Sequence, residues 1–481
     1  MKISDTPFSI IAFAPFLADE TPGQRNNSLP LLISSPDQGL ALLAPSLYIP
    51  LPRSMSPDCG IQLAFTRLDD FTPESIVMRT PWLKALATGS QQERRADASS
   101  GVKHDALDSI LDMVALPEGT ADSAHDDTNR PTEADSILAG VLNRIFSDAA
   151  FRQMEAAWRG AALLLDSACC GPVALSIVPV QRDTAVETIE KAASYLDHDP
   201  PDLILLDAGF DATPAGMLLL ESVSSLAERL MSPALCWCGP EFFYCDRWDS
   251  LTPLPYLPNH LDGFSYARWK TLRARPAAFW TMAFCNGLTI RQPYRCDALA
   301  GFFKESSPLT APAVWGAAAL MQKAFTVTGN PCKAGLQKLQ LFHQEGEQVQ
   351  ATETVIPDER CQQLLASGIL PLVPMRSGAV GIAQLVTIDR GSPARAVALS
   401  WTIHTLIRLR REYGSAEEGE TVALQLQEAF SGYLQAPVFT GVNTITIDNA
   451  GTNRNGTIVL GVRVKPDGPQ QTEIIEFTFD W

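Results

Sequence analysis

The sequence predicts an α/β fold: a mostly parallel sheet covered by helices, with a small N-terminal strand-and-helix unit and a C-terminal antiparallel meander. Three observations predict it. Between residues 173 and 238 short apolar runs alternate with longer amphipathic stretches, the pattern of strands joined by crossover helices. Three segments near the C-terminus alternate with period two. The chain has 481 residues of which 46% are hydrophobic, so it folds, and its length exceeds what one core normally fills.

In order, Phe8 to Phe13 reads as a short buried strand, since Pro15 and Asp5 argue against a signal-peptide core. Proline, serine and asparagine between Thr21 and Pro57 predict loops and short extended pieces. Ile61 to Phe65 alternates as a strand. Thr72 then caps a helix with Pro73 in its first position, where a missing N–H costs nothing, and Ile76, Leu83 and Leu86 continue it. These elements make residues 1–88 one small unit. Residues 89–135 are polar and then acidic, and read as linker around one short helix, residues 105–115. Its Leu107, Ile110, Leu111 and Val114 form a single apolar stripe, suited to docking on the main domain or to binding a partner.

Ile137, Leu138, Val141, Leu142 and Ile145 share one helical face; Ser147 or Asp148 restarts the helix, and Phe151, Met154, Trp158 and Leu165 share the next, which marks Trp158 as core. Strand Val173 to Val178, helix Ala185 to Leu196, strand Leu203 to Leu206, helix Gly216 to Leu230 and strand Ala234 to Cys238 follow. An α/β core therefore spans residues 136–310. In residues 311–481, helices Ala313 to Phe325 and Ala396 to Glu412 bracket a mixed region, and Thr444 to Ile447, Thr457 to Val464 and Thr472 to Phe479 form the meander.

A net charge of −17 argues against nucleic acid or an anionic membrane, both of which need a dense cationic surface. Ten cysteines without a dense regular spacing read as reduced thiols, which predicts a cytoplasmic chain. Asp166 interrupts the best apolar run before it reaches the ~18 residues a spanning helix needs. P-loop, dinucleotide-turn, HExxH and GxSxG motifs are absent. Asp207 ends an apolar strand with Asp211 four residues on, where α/β enzymes keep catalytic groups; strand termination and helix capping near Thr213-Pro214 is the preferred assignment. Cys236, Cys238 and Cys245 lack zinc spacing and read as buried thiols. The six histidines share no spacing, so no catalytic, metal or cofactor residues are assigned. His404, Arg408 and Arg411 fall at i, i+4 and i+7 opposite Ile403, Leu406 and Ile407, a cationic ridge that is either solvated or meets an acidic partner such as another copy.

Several segments taken together resemble a known family. Phe151 to Gly160, with Trp158, Arg159 and Gly160, resembles the F-x-x-L-E-x-x-W-R-G-L signature of TssC, the large contractile-sheath subunit of bacterial type VI secretion systems. Gly239-Pro240 to Phe243 resembles its G-P-x-F-F turn; Tyr266 to Arg273, with Trp269, its Y-x-x-W-x-x-x-R segment; and Arg291 with Pro293-Tyr294 its R-x-P-Y turn. Trp315-Gly316 and Gly368 to Leu372 resemble two further motifs, so the likeness runs over residues 105–481. Leu68 to Val77, with Asp70, Phe71 and Pro73, resembles a segment of the small subunit, TssB, which implies a fusion of the two.

The resemblance implies a structural, non-catalytic, cytoplasmic sheath subunit of a type VI secretion apparatus that self-assembles around an inner-tube protein and meets baseplate proteins. A non-polymerising adaptor at baseplate or cap is the alternative, and an enzyme using Asp207 and Asp211 the second. In the family a short amphipathic helix is gripped by a AAA+ unfoldase, and Asp108 to Val114 resembles it, making Leu107, Ile110, Leu111 and Val114 recognition candidates.

Overall fold

Phe8–Ala14 (β1) is apolar on both faces, and such a strand is stable only where both faces are covered. It lies inside the main sheet. The computed structural model describes residues 7–18, 29–56, 58–89, 133–296, 303–341, 350–413, 419–435, 441–454, 457–467 and 474–481. The strands after β1 are β2 Leu31–Ile33, β3 Ser46–Pro50, β4 Gly60–Ala64, β5 Val173–Pro179, β6 Leu203–Leu206, β7 Ala234–Trp237, β8 Thr281–Cys285, β9 Leu288–Arg291, β10 Arg295–Cys296, β11 Phe303–Lys304, β12 Leu309–Ala311, β13 Leu339–Gln340, β14 Ile369–Met375, β15 Ala379–Ile382, β16 Val442–Thr452, β17 Ile458–Pro466 and β18 Ile475–Asp480. The α-helices are α1 Pro36–Leu43, α2 Pro73–Arg79, α3 over residues 81–89, α4 Glu133–Ser147, α5 Ala149–Leu165, α6 Ser167–Cys170, α7 Ala185–Leu196, α8 Pro214–Leu230, α9 Leu257–Leu261, α10 Ala267–Arg273, α11 Ala313–Thr328, α12 Asp358–Ala366, α13 Pro393–Tyr413 and α14 Gly419–Gln435. Among the described residues the chain divides into two compact units: Met1–Gly39 with Ala156–Ile290 and Thr310–Trp481, and Leu40–Glu155 with Arg291–Leu309.

The first unit holds a nine-stranded sheet in the order β13-β15-β14-β8-β7-β6-β1-β5-β2. From β5 to β14 neighbouring strands run parallel, and β2, β15 and β13 add antiparallel edges. The expected mostly parallel sheet is therefore present. Helices α7 and α8 cover the face that carries Ile11, Phe13, Ile204 and Leu206. A second core joins α13 and α14 to the meander, where Ile445 pairs with Val464, Ile447 with Val462, and Leu460 with Phe479. The expected C-terminal antiparallel meander is thus also present.

In the second unit β3 and β4 form an antiparallel pair, Leu47 opposite Leu63. Thr72 caps α2 as expected, its Oγ1 accepting from the Ser75 N–H at 3.3 Å. Phe65 and Phe71 stack with ring centroids 4.2 Å apart, and both lean on Phe151.

Several expectations need correction. Residues 1–88 do not close on themselves, because β1 completes a sheet whose other strands come much later, pairing with β5 and β6. Nor does position 310 divide two domains: β14 pairs with β8 across it, since β8 needs a parallel neighbour on each side. Between Thr21 and Pro57, where only loops and short extended pieces are expected, the chain also forms the helix α1. The α14 helix has no counterpart in the sequence reading. The short helix expected over residues 105–115 lies outside the described residues, as does most of the linker.

Candidate functional site

In an open parallel sheet, ligands bind where neighbouring connections leave in opposite directions, outside the carboxyl ends of the strands. Here β1 lies between β5 and β6, so that place is at the ends of β1 and β6. Phe16 follows β1 and Asp207 follows β6, whose N–H donates to the Phe13 carbonyl at 2.8 Å. The crevice is filled by the chain's own aromatic side chains. Trp315, at the start of α11, donates its Nε1–H to the Asp207 carboxylate, and the Trp237 indole donates to the Asp207 carbonyl. Trp158 on α5 donates to the Phe16 carbonyl at 3.1 Å, and its ring meets Phe16 edge-on at 4.8 Å. Phe16 in turn meets Trp315 at 6.3 Å.

Gly160 explains how two of the singled-out motifs meet. A Cβ there would lie 2.3 Å from Cδ2 of Trp315, so only glycine lets α5 approach that indole. Gly316 allows close packing on the other side, where Leu372 Cδ1 would lie 3.0 Å from an added Cβ and would have to give slightly. The W-R-G and W-G segments are thus two halves of one packed joint. Arg159, between them, is half-buried.

Burial pushes the Asp207 carboxyl up to about 7, partly offset by the Trp315 N–H. A carboxyl with a higher pKa folded than unfolded holds its proton more tightly when folded. Stability contributed by the protonated form is therefore present below pH ~4 and falls as pH rises through about 7, by a few kcal/mol in order of magnitude. In Asp207→Asn that decline between about pH 4 and 7 is expected to vanish from urea-unfolding curves; an unchanged pH slope would show that Asp207 is not its source.

Asp211 has other partners. It accepts from the Thr213 N–H at 2.9 Å and from Arg182 at 2.6 Å, while Thr213 Oγ1 caps α8 through the Gly216 N–H. Asp211 therefore braces the Thr213 cap of α8 and pairs with Arg182. Cys236 and Cys238 are buried with thiols pushed up by that burial, and Cys245 is also raised. Among the described residues no group of three or more His, Cys, Asp or Glu is placed to hold a metal.

The second unit has a buried charge cluster. Arg291 forks onto two carboxylates: Nε and Nη2 reach Glu155 at 2.8 and 3.1 Å, and Nη1 and Nη2 reach Glu305 at 2.6 and 3.1 Å. Arg152 adds a second cation to Glu305 at 2.9 Å, and Arg291 lies 3.9 Å from the centre of the Tyr294 ring. Burial alone would lower the Arg291 pKa, but Glu305 and Glu155 outweigh it and hold it above its ordinary value. Pro293 and Tyr294 turn the chain so that the Tyr294 N–H also donates to Glu305, at 3.0 Å. Glu155 lies inside the quoted signature but was not itself singled out, and Glu305 carries no sequence signal at all.

The remaining singled-out residues are also placed. Asp70 accepts from the Thr66 and Arg67 N–H groups at 2.7 and 2.9 Å and pairs with Arg79, which outweigh burial and lower its pKa; Pro73 opens α2. Gly239-Pro240 turns the chain so that Phe242 packs on Trp269 at 5.3 Å. His404 is not on a ridge. It is 2% exposed, its Nε2 3.0 Å from the Leu230 carbonyl, because α13 packs against both cores and has no fully solvated face there. Burial lowers its pKa. Arg408 and Arg411 reach Asp202 and Asp199 of the same unit at 3.7 and 3.9 Å, and the buried His404 does not share their exposed face. Leu107, Ile110, Leu111 and Val114 lie outside the described residues.

Residues 129–381 match the family model VipB, the EvpB/VC_A0108 tail sheath N-terminal domain. Among solved structures, the chain is similar to one in the baseplate of the anti-feeding prophage, with 13% identity, 68% of this chain and 81% of that chain covered, and a TM-score of 0.43. A chain in the contracted helical sheath of the same prophage gives 12% identity, 66% and 82% coverage and a TM-score of 0.40. The sheath tail protein Lin1278 from Listeria innocua gives 14%, 64% and 61%, and 0.37. No curated protein matches. The matched segment exceeds half of the chain and contains Glu155, Trp158, Asp207, Arg291 and Trp315, and the chain belongs to the VipB tail sheath family.

Proposed function

We propose that this chain is a non-catalytic structural subunit of a type VI secretion apparatus, assembling with copies of itself around an inner-tube protein. Membership of the sheath family carries the reading. It is supported by the aromatic joint at the switch point, which uses for packing the space where an α/β enzyme would hold substrate. Work in such a machine comes from many repeated interfaces changing together, so each subunit must stay rigid while its contacts rearrange. Two interlocked tryptophans and a fully paired charge cluster suit that demand. The cytoplasm is the proposed compartment; among the described residues no helix is long and apolar enough to cross a membrane. Baseplate proteins, and a AAA+ unfoldase reading Leu107, Ile110, Leu111 and Val114, are the further proposed partners. The Asp70-Phe71-Pro73 turn supports a small-subunit-like segment fused to the large one.

Negative-stain microscopy of the purified chain, alone and with the inner-tube protein, tests this. Tubes or stacked rings are expected. Discrete closed particles would favour an adaptor at the baseplate or cap, and monomers under both conditions would overturn self-assembly.

A further inference from the structure

Arg273, at the end of α10, is the singled-out arginine that the aromatic joint and the charge cluster do not use. Its Nε is fully buried with no hydrogen-bond acceptor, and among the described residues its guanidinium makes no hydrogen bond or ion pair. Its guanidinium carbon lies 5.9 Å from the centre of the Trp269 ring. Burial lowers its pKa, and the Arg390 cation lowers it further against the opposing Asp262 and Asp389. A half-buried guanidinium beside a second cation is costly to leave unpaired, and it presents the fork that matches a carboxylate.

The surroundings point the same way. Arg268 and Lys270 donate to the Pro214 and Asp262 carbonyls, so neither charge is neutralised by those bonds. Arg390 stands exposed at the tip of its loop with φ 71°, a left-handed conformation that non-glycine residues rarely adopt. Just before α10, Phe264 is 97% exposed. An exposed aromatic four residues before the exposed Arg268 is the composition of an interface anchor. In a chain of net charge −17, this face is locally cationic, whereas copies as a whole repel one another.

We infer that the face formed by α10 and the Arg390 loop docks a second copy of this chain, with a surface carboxylate of that copy seated between Arg273 and Arg390 and Phe264 packed beside it. The occupant follows from charge: another copy brings an acid-rich surface, and this face is where attraction replaces repulsion. The inference rests on the self-assembly reading.

Sedimentation velocity of the full chain, over a range of concentrations at low and high salt, tests it with Arg273→Gln and Arg390→Asn. Asparagine tolerates the left-handed backbone, so the second variant removes the cation without straining its loop. Each substitution is expected to weaken self-association at least tenfold and flatten its salt dependence, with melting temperatures unchanged. Wild-type protein that assembles while both variants assemble equally well overturns this site and leaves the function standing. Wild-type protein that stays monomeric at every concentration overturns both. Arg273→Gln that fails to fold moves the decision to Arg390→Asn, whose undiminished assembly overturns the site.

Discussion

Arg291→Met is expected to cost about 3 to 5 kcal/mol of stability, seen as a large fall in the midpoint of urea unfolding. The substitution removes the guanidinium that forks onto the buried Glu155 and Glu305, while Arg152 stays on Glu305. A buried carboxylate that loses its bidentate cation is left with part of its desolvation cost uncompensated, and that cost exceeds what the pair contributes when intact. The comparison that isolates this effect is the triple variant Arg291→Met, Glu155→Gln, Glu305→Gln, expected to recover much of the loss because it removes the stranded charges. An Arg291→Met protein as stable as wild type would mean that water reaches both carboxylates.

Trp158→Ala is expected to cost ~3 to 5 kcal/mol, through the cavity it opens and the carbonyl it strands. The indole is fully buried, packs edge-on against Phe16 and satisfies the Phe16 carbonyl. Gly39 lies so close that a Cβ there would be 2.8 Å from the ring, so the surroundings are shaped to this side chain. Trp158→Phe keeps a six-membered ring but loses the fused five-membered ring with its N–H, and a smaller fall in melting temperature than for alanine is expected. If alanine and phenylalanine proved equally mild, the ring would be contributing little beyond its hydrogen bond.

Local elements were legible where one period dominates. Helix α7 spans Ala185–Leu196 and β6 spans Leu203–Leu206, the bounds that apolar spacing alone predicts. Pairing over distance was not legible. Nothing local in Phe8–Ala14 says that its neighbours are β5 and β6. His404 shows the limit of a helical wheel: polar residues at i, i+4 and i+7 imply a wet face only if nothing else packs there, and α13 is covered by two cores. Trp158, Gly160, Trp315 and Gly316 were visible as motifs, but their meeting was not. Glu305 was invisible because a lone glutamate in a polar turn looks solvated until Arg291 is placed beside it.

The central place of β1 also dictates the order in which the chain must fold. Its partners begin at Val173, 159 residues after Ala14. At roughly 5 to 20 residues per second, a ribosome leaves this apolar segment waiting for about 8 to 30 s before β5 has even been synthesised. Phe8–Ala14 is rich in bulky apolar side chains and uncharged, the kind of strand that pairs with the wrong chain when left open. Closing a loop of that length adds little to the equilibrium free energy, since the entropy grows only with the logarithm of its size. Its cost falls instead on timing: β1 is made well before the strands that secure it and is open to wrong pairings in the interval.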